Sequence, residues 1–281
     1  MSLLAEGAIP ELLWTGAAWA EGPAWLTPTQ TVLFSDIPND RVMAYDTVTG
    51  EARAHRENAG FANGRTLDHQ GRIVQCSHGR RAIEREDNGV LETVVSGWSG
   101  GRFNSPNDVV VASDGAIWFT DPPYGLHESG REGHPGTQDY AGCYVFRYAD
   151  GVALPVITDL VHPNGLAFSP DESLLYVADT GWFWDKTVPL QIRVYDVATG
   201  AGRLFVTPEG IADGFRVDSQ GRVWTSSGEA VAVYSAEGEL LEAIPFPERV
   251  SNLCFGGADG NDLYVTASSS LYRLRTTAHA A

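Results

Sequence analysis

The 281-residue chain carries 36 acidic and 19 basic side chains, for a formal net charge of −17. It is 43% hydrophobic and 20% charged, which is apolar enough to build a large core and too apolar for a disordered chain. The carboxylate excess excludes nucleic acid and an anionic membrane surface as partners, because both are bound through Lys and Arg.

Length alone suggests one large domain or two small ones. Three cysteines, Cys76, Cys143 and Cys254, form no close pair, which excludes a disulfide framework and a cysteine zinc site and fits a reducing cytosol. The opening MSLLAEGAIPELL has neither the basic start nor the apolar stretch of a signal peptide. No run of about 18 apolar residues would span a membrane. A cytoplasmic protein is expected.

Six segments in chain order follow one template: a polar start, an apolar strand, a turn rich in Asp, Gly or Pro, and a second apolar strand. They are EGPAWLTPTQTVLFSD from Glu21, ANGRTLDHQGRIVQC from Ala62, PNDVVVASDGAIWFTD from Pro106, PNGLAFSPDESLLYVAD from Pro163, ADGFRVDSQGRVWTSS from Ala212 and SNLCFGGADGNDLYVTA from Ser251. Third strands follow, such as RVMAYD from Arg41 and QIRVYD from Gln191, then fourth strands such as EARAHR, RLFVT and LLEAIPF. The strands are short, rich in Val, Ile, Tyr and Trp, and bounded by turn residues, and helical periodicity is nearly absent.

This repetition predicts an all-β fold: a six-bladed β-propeller with four-stranded blades around a central channel, one domain over residues 1–281. A plain β-sandwich would give no reason for six aligned repeats. The last copy stops at SLYRLRTT without a fourth strand, and ELLWTGAAW near the N-terminus is expected to supply it and close the ring.

The equivalent polar positions are Glu21, Asn63, Asn107, Asn164, Asp213 and Asn252, spaced by 42, 44, 57, 49 and 39 residues. Each stands where the inner strand of its blade begins, so all six are expected to converge at one mouth of the channel. Local capping explains each residue singly. It does not explain two carboxylates in one channel, which repel unless a positive charge lies between them. An all-oxygen set without ring nitrogen or thiolate suits a hard divalent cation: calcium first, then magnesium or manganese. Zinc fits less well because it usually selects His or Cys. Glu21 and Asp213 are the expected anionic ligands and Asn107 and Asn164 the favoured amides, whereas Asn63 and Asn252 could instead face a substrate.

Strand alternation puts the loops between second and third strands on that same face. The longest are Asp121 to Gly142 and Asp179 to Leu190, and long loops in a compact domain are often lids or binding loops. Tyr124, Trp182, Phe183 and Trp184 on them would form an aromatic wall. His162, two residues before Asn164, could approach the mouth. Arg65, two residues after Asn63, would share its channel-facing side. An open metal in a concave mouth suits hydrolysis: the ion polarises a carbonyl or phosphoryl oxygen, and Asp213 accepts a proton from water or attacks directly. Esters, lactones and phosphotriesters all fit. No HExxH pair, P-loop or dinucleotide fingerprint is present.

The motifs EGPAW at Glu21, RFNSPND at Arg102, FTDPPYG at Phe119, HPNGLAFSPD at His162, ADGFRVDSQGRVW at Ala212 and SNLCFGG at Ser251 give the chain a joint resemblance to the senescence marker protein/gluconolactonase/luciferin-regenerating enzyme family. The resemblance runs from about Trp14 to Arg275, and SPND and DPPYG lean toward its bacterial gluconolactonase-like members. It implies a six-bladed propeller with one divalent metal near the axis and metal-dependent hydrolysis of sugar lactones. It puts metal ligands on Glu21, Asn164 and Asp213, with Asp213 as the base. Asn107 takes the place of a substrate-contacting Asn that ligates calcium in related phosphotriesterase propellers. Arg102 resembles an Arg that contacts substrate in regucalcin-like members. The expected substrate contacts are therefore Asn63, Arg65, Arg102, Asn107 and Tyr124, and the expected partner is a small-molecule sugar lactone. The expected state is a monomer or weak homo-oligomer. The rival readings are an organophosphate triesterase or arylesterase on the same metal, and a non-catalytic calcium-binding propeller.

Overall fold

The structure is a computed structural model that describes residues 3–281. Met1 and Ser2 of the expected 1–281 domain lie outside the described residues. Six antiparallel four-stranded sheets stand in a ring, and among the described residues there is no α-helix, only four single-turn 3₁₀ segments. The blades occupy residues 20–57, 62–95, 109–157, 163–206 and 215–245, and the sixth is built from 250–275 plus an N-terminal strand. In each of the first five the sheet order follows the sequence order, so every blade is a meander of hairpins.

Closure comes from strand Glu11–Thr15, which pairs antiparallel with Ser270–Arg275 and places Glu11 opposite Arg273. Their side chains form an ion pair of 2.7 Å. The ends of the chain thus share one blade, as the missing fourth strand of the last repeat predicts. The apolar residues of neighbouring blades interdigitate. Trp224, Val231 and Ile244 of blade five pack with Leu253, Leu263 and Val265 of blade six. Val32 and Phe34 of blade one pack with Tyr264 and Leu271 of blade six. The seam at the termini is therefore as apolar as the others. Each such fully buried side chain contributes about 1.5–3 kcal/mol.

The inner strands start irregularly. Register shifts fall between Glu21 and Ala24, Ala62 and Arg65, Pro163 and Leu166, and Val250 and Asn252. At these bulges an extra residue breaks the two-residue alternation and re-aims a side chain. Glycine permits the accompanying close approach. Gly64 donates its N–H to Asn107 O at 2.8 Å, and Gly165 donates to Asp213 O at 2.9 Å. A Cβ on Gly64 would overlap Asp108 and Asn107, and one on Gly165 would overlap the Asp213 carbonyl. The polar-residue-then-Gly pairs of the repeat therefore weld adjacent inner strands near the axis and bring their side chains together.

One element goes beyond the template. A two-stranded ribbon, Gly97–Trp98 with Gly101–Arg102, lies between blades two and three. The three cysteines are buried and free.

Candidate active site

A cavity of about 380 Å³ opens at the mouth where the inner strands begin. Glu21, Asn63, Asn107, Asn164 and Asp213 all line it, so five of the six equivalent positions converge as their spacing predicts. The sixth, Asn252, is turned away from the cavity. Its Nδ2 donates to Glu21 Oε2 at 3.0 Å, and its Oδ1 accepts the Leu253 N–H at 2.8 Å. Glu21 also accepts a close hydrogen bond from the Gly22 N–H.

The two carboxylates feel each other. Burial first, then Asp213 and Asp108, push the Glu21 carboxyl well above the usual carboxylate range. Burial, then the carboxylate of Glu132, push Asp213 up to about 7, against a hydrogen bond from Asn164. Like charges in a cavity of low polarity resist joint ionisation. A cation bound between them would relieve this crowding. Among the described residues no cluster of three or more His, Cys, Asp and Glu side chains could hold a metal, so an ion here needs the amide oxygens as well. Two carboxylates with the amides of Asn107 and Asn164 form an all-oxygen donor set that fits a hard divalent ion.

The long loop after Asp121 builds one wall. Asp121 accepts the N–H groups of Asn104 and Ser105 at 2.7 and 2.9 Å and the Tyr140 hydroxyl. Ser105 Oγ donates to Pro122 O at 2.6 Å and accepts the Gly125 N–H at 2.9 Å. This bracket seats Tyr124 in the cavity wall. The Tyr124 ring stacks on Trp184 with centroids 5.0 Å apart and planes 10° from parallel. His162 stands edge-on to Trp184 at 4.6 Å, outside the lining itself. Phe183 joins the wall. Trp182 does not; its ring lies under the Lys186 ammonium at 3.3 Å.

Two expected substrate contacts are not in this cavity. Arg65 is fully buried, donating from Nη1 to Gly22 O at 2.5 Å and from Nη2 to Ser35 Oγ at 2.6 Å, and it lines the opposite mouth of the channel. The bulge between Ala62 and Arg65 cancels the alternation that would have paired it with Asn63. Arg102 lies exposed on the extra ribbon, where its Nη2 donates to Arg80 O at 3.0 Å. The segment Asn104–Ser105, clamped to Asp121, separates it from Asn107.

Other lining residues carry no repeat signal. Trp19, Ile37, His127, Ser129, Arg131 and Glu132 come from connections outside the aligned segments. Only the length of the loop after Asp121 hinted at the last four.

The model of the SMP-30/Gluconolactonase/LRE-like region matches residues 19–269. The chain belongs to this family. It is 32% identical to the gluconolactonase of Zymomonas mobilis, over 95% of this chain and 81% of that protein. It is 29% identical to the pentonolactonase XacC of Haloferax volcanii, over 90% of this chain and 83% of that one. Among solved structures, the gluconolactonase XC5397 of Xanthomonas campestris superposes with a TM-score of 0.90 at 38% identity, covering 98% of this chain and 91% of that one. Membership accounts for the propeller and for motifs that reach from the first blade to the last. Glu21, Asn164 and Asp213, which line the cavity, all fall within the matched residues.

Proposed function

We propose that the protein is a divalent-metal-dependent lactonase that opens a sugar lactone to its aldonic acid. The observation that carries this reading is the meeting of Glu21 and Asp213 in one cavity, in a chain whose family relatives include a gluconolactonase and a pentonolactonase. Glu21, Asn107, Asn164 and Asp213 would hold the ion. When bound, it would neutralise the two carboxylates and act as a Lewis acid toward the ester carbonyl.

The chain's own groups supply the rest. Asp213 takes a proton from water as that water adds to the carbonyl carbon. The ring C–O bond then breaks, and the departing alkoxide takes up the proton that Asp213 holds. Asn63 and Asn107 hydrogen-bond sugar hydroxyls, and the Tyr124–Trp184 stack covers an apolar face of the ring. The wall narrows the mouth and limits bulk water around the ester. With its three free cysteines buried, the chain suits a reducing cytoplasm. Among the described residues, no helix is long and apolar enough to cross a membrane. A single 1–281 unit, monomeric or weakly self-associating, suffices for this chemistry.

The test is hydrolysis of an aldonolactone, corrected for spontaneous opening. Chelation should abolish turnover and one of calcium, magnesium, manganese or zinc should restore it. Asp213→Asn should lower kcat by about 10²–10⁴-fold. Rates unchanged by both treatments would remove the metal and this carboxylate from the reaction. A strong preference for phosphotriesters would favour the triesterase reading, and tight metal binding without turnover the non-catalytic one.

A further inference from the structure

His78 has no part in the chemistry above, yet it is fully buried directly behind the cavity. It follows the second strand of blade two, Ile73–Ser77, and its backbone N–H donates to Phe61 O at 3.2 Å. The ring touches two lining residues. Nε2 is 3.2 Å from Asn63 Nδ2, and Nδ1 is 3.0 Å from the backbone carbonyl of Glu132. The long loop also presses on it from the side, because a Cβ on Gly125 would meet His78 Cβ at 2.7 Å.

We propose that His78 is a positioning residue that locks the Asn63 side-chain amide in one orientation and ties it to the loop carrying Glu132. The proposal rests on the lactonase reading of the cavity. A carbonyl oxygen only accepts, so Nδ1 must carry the ring proton and donate it to Glu132 O. The bare Nε2 is then an acceptor, and only the NH₂ end of Asn63 can satisfy it. That turns Asn63 Nδ2 inward and leaves its Oδ1 to accept a hydrogen bond from a substrate hydroxyl. The flipped amide would set Oδ1 against Nε2 and require a ring protonated on both nitrogens. Burial disfavours that cation and holds the imidazole down at about 4. One neutral ring therefore fixes both the polarity of Asn63 and the place of Glu132.

Two variants separate the two arms. In His78→Gln, Oε1 reaches where Nε2 stood and still accepts from Asn63, while the bond to Glu132 O is lost. In His78→Asn, Nδ2 stands in for Nδ1 and still donates to Glu132 O, while Asn63 loses its acceptor. Aldonolactone KM should rise about 3- to 10-fold in His78→Asn, the worth of one hydrogen bond, with kcat little changed. In His78→Gln the KM should stay close to wild type. Combined with Asn63→Ala, His78→Asn should add nothing, because both act through one contact. An unchanged KM in folded His78→Asn, or full additivity with Asn63→Ala, would overturn the proposal. Nitrogen-15 NMR of the wild-type imidazole is an independent reading. It should show a protonated Nδ1 and a bare Nε2 at neutral pH. The opposite tautomer or an imidazolium would overturn the proposal even if both variants failed to fold. A wild type that opens no lactone would sink the lactonase reading alone, since the NMR result still decides the role of His78.

Discussion

The side-chain amide of Asn252 donates to Glu21 Oε2 across 3.0 Å, joining residues 231 positions apart in the chain. This bond crosses the seam between the last blade and the first. It makes Asn252 a partner of a proposed metal ligand rather than part of the cavity wall. With Gly22 N–H it favours the ionised form of a carboxylate that burial and Asp213 otherwise drive toward neutrality.

Asn252→Ala should therefore act twice. Leaving a buried carboxyl short of one hydrogen-bond donor should lower stability by about 1–3 kcal/mol, read by urea unfolding. Divalent-ion affinity, read by calorimetry, should fall as well, because Glu21 is then held less firmly and is more often protonated. Equal ion affinity in the variant and the wild type would show that Glu21 does not depend on Asn252.

The glycine welds make a second prediction. Gly165→Ala drives a Cβ into the carbonyl of Asp213, and backbone there has little freedom to yield. A loss of about 3 kcal/mol or more is expected in urea unfolding, at the upper end for single substitutions. Lactone turnover should fall further than stability explains, because the clash displaces Asp213 itself. A variant with wild-type stability would mean that the inner strands can part without disturbing the fold.

A third prediction concerns pH. Glu86 of blade two accepts from His55 Nε2 at 2.9 Å and pairs with Arg56 Nη2 at 3.0 Å, both from the fourth strand of blade one. The His55 bond first, with the Arg56 bond, holds Glu86 down at about 2 against the opposing pull of burial. The unfolded chain titrates this group near about 4.3, so below that pH it binds the proton that the folded state refuses. The contribution is present at neutral pH and fades as the pH falls from about 4 toward 2. Glu86→Gln should lower stability at pH 7 by about 1–3 kcal/mol, and the gap to wild type should narrow at pH 3. An unchanging gap across that range would detach the blade contact from the charge of Glu86.

By itself the amino-acid sequence determined the number of blades, the strand that closes the ring and six equivalent polar positions, of which five share a cavity. These follow from local rules repeated six times: alternating apolar strands, turn residues between them, and a polar residue at the head of each inner strand. Even the partner of Ser270–Arg275 was legible, because a four-strand unit lacking one strand leaves an edge that only the other terminus could cover. The tertiary structure alone decided what each side chain faces. Arg65 turned away from the cavity, onto Gly22 O and Ser35 Oγ, because a bulge of one residue reversed its expected direction, which the Asn63-Gly64 pair permits but does not by itself specify. Asn252 and Asn63 carry the same amide at the same repeat position. One turns to a carboxylate and the other to an imidazole, because the neighbouring blade and the long loop differ around each. Periodicity fixes where backbones run, whereas the direction of a side chain depends on hydrogen-bond partners that only folding brings within reach.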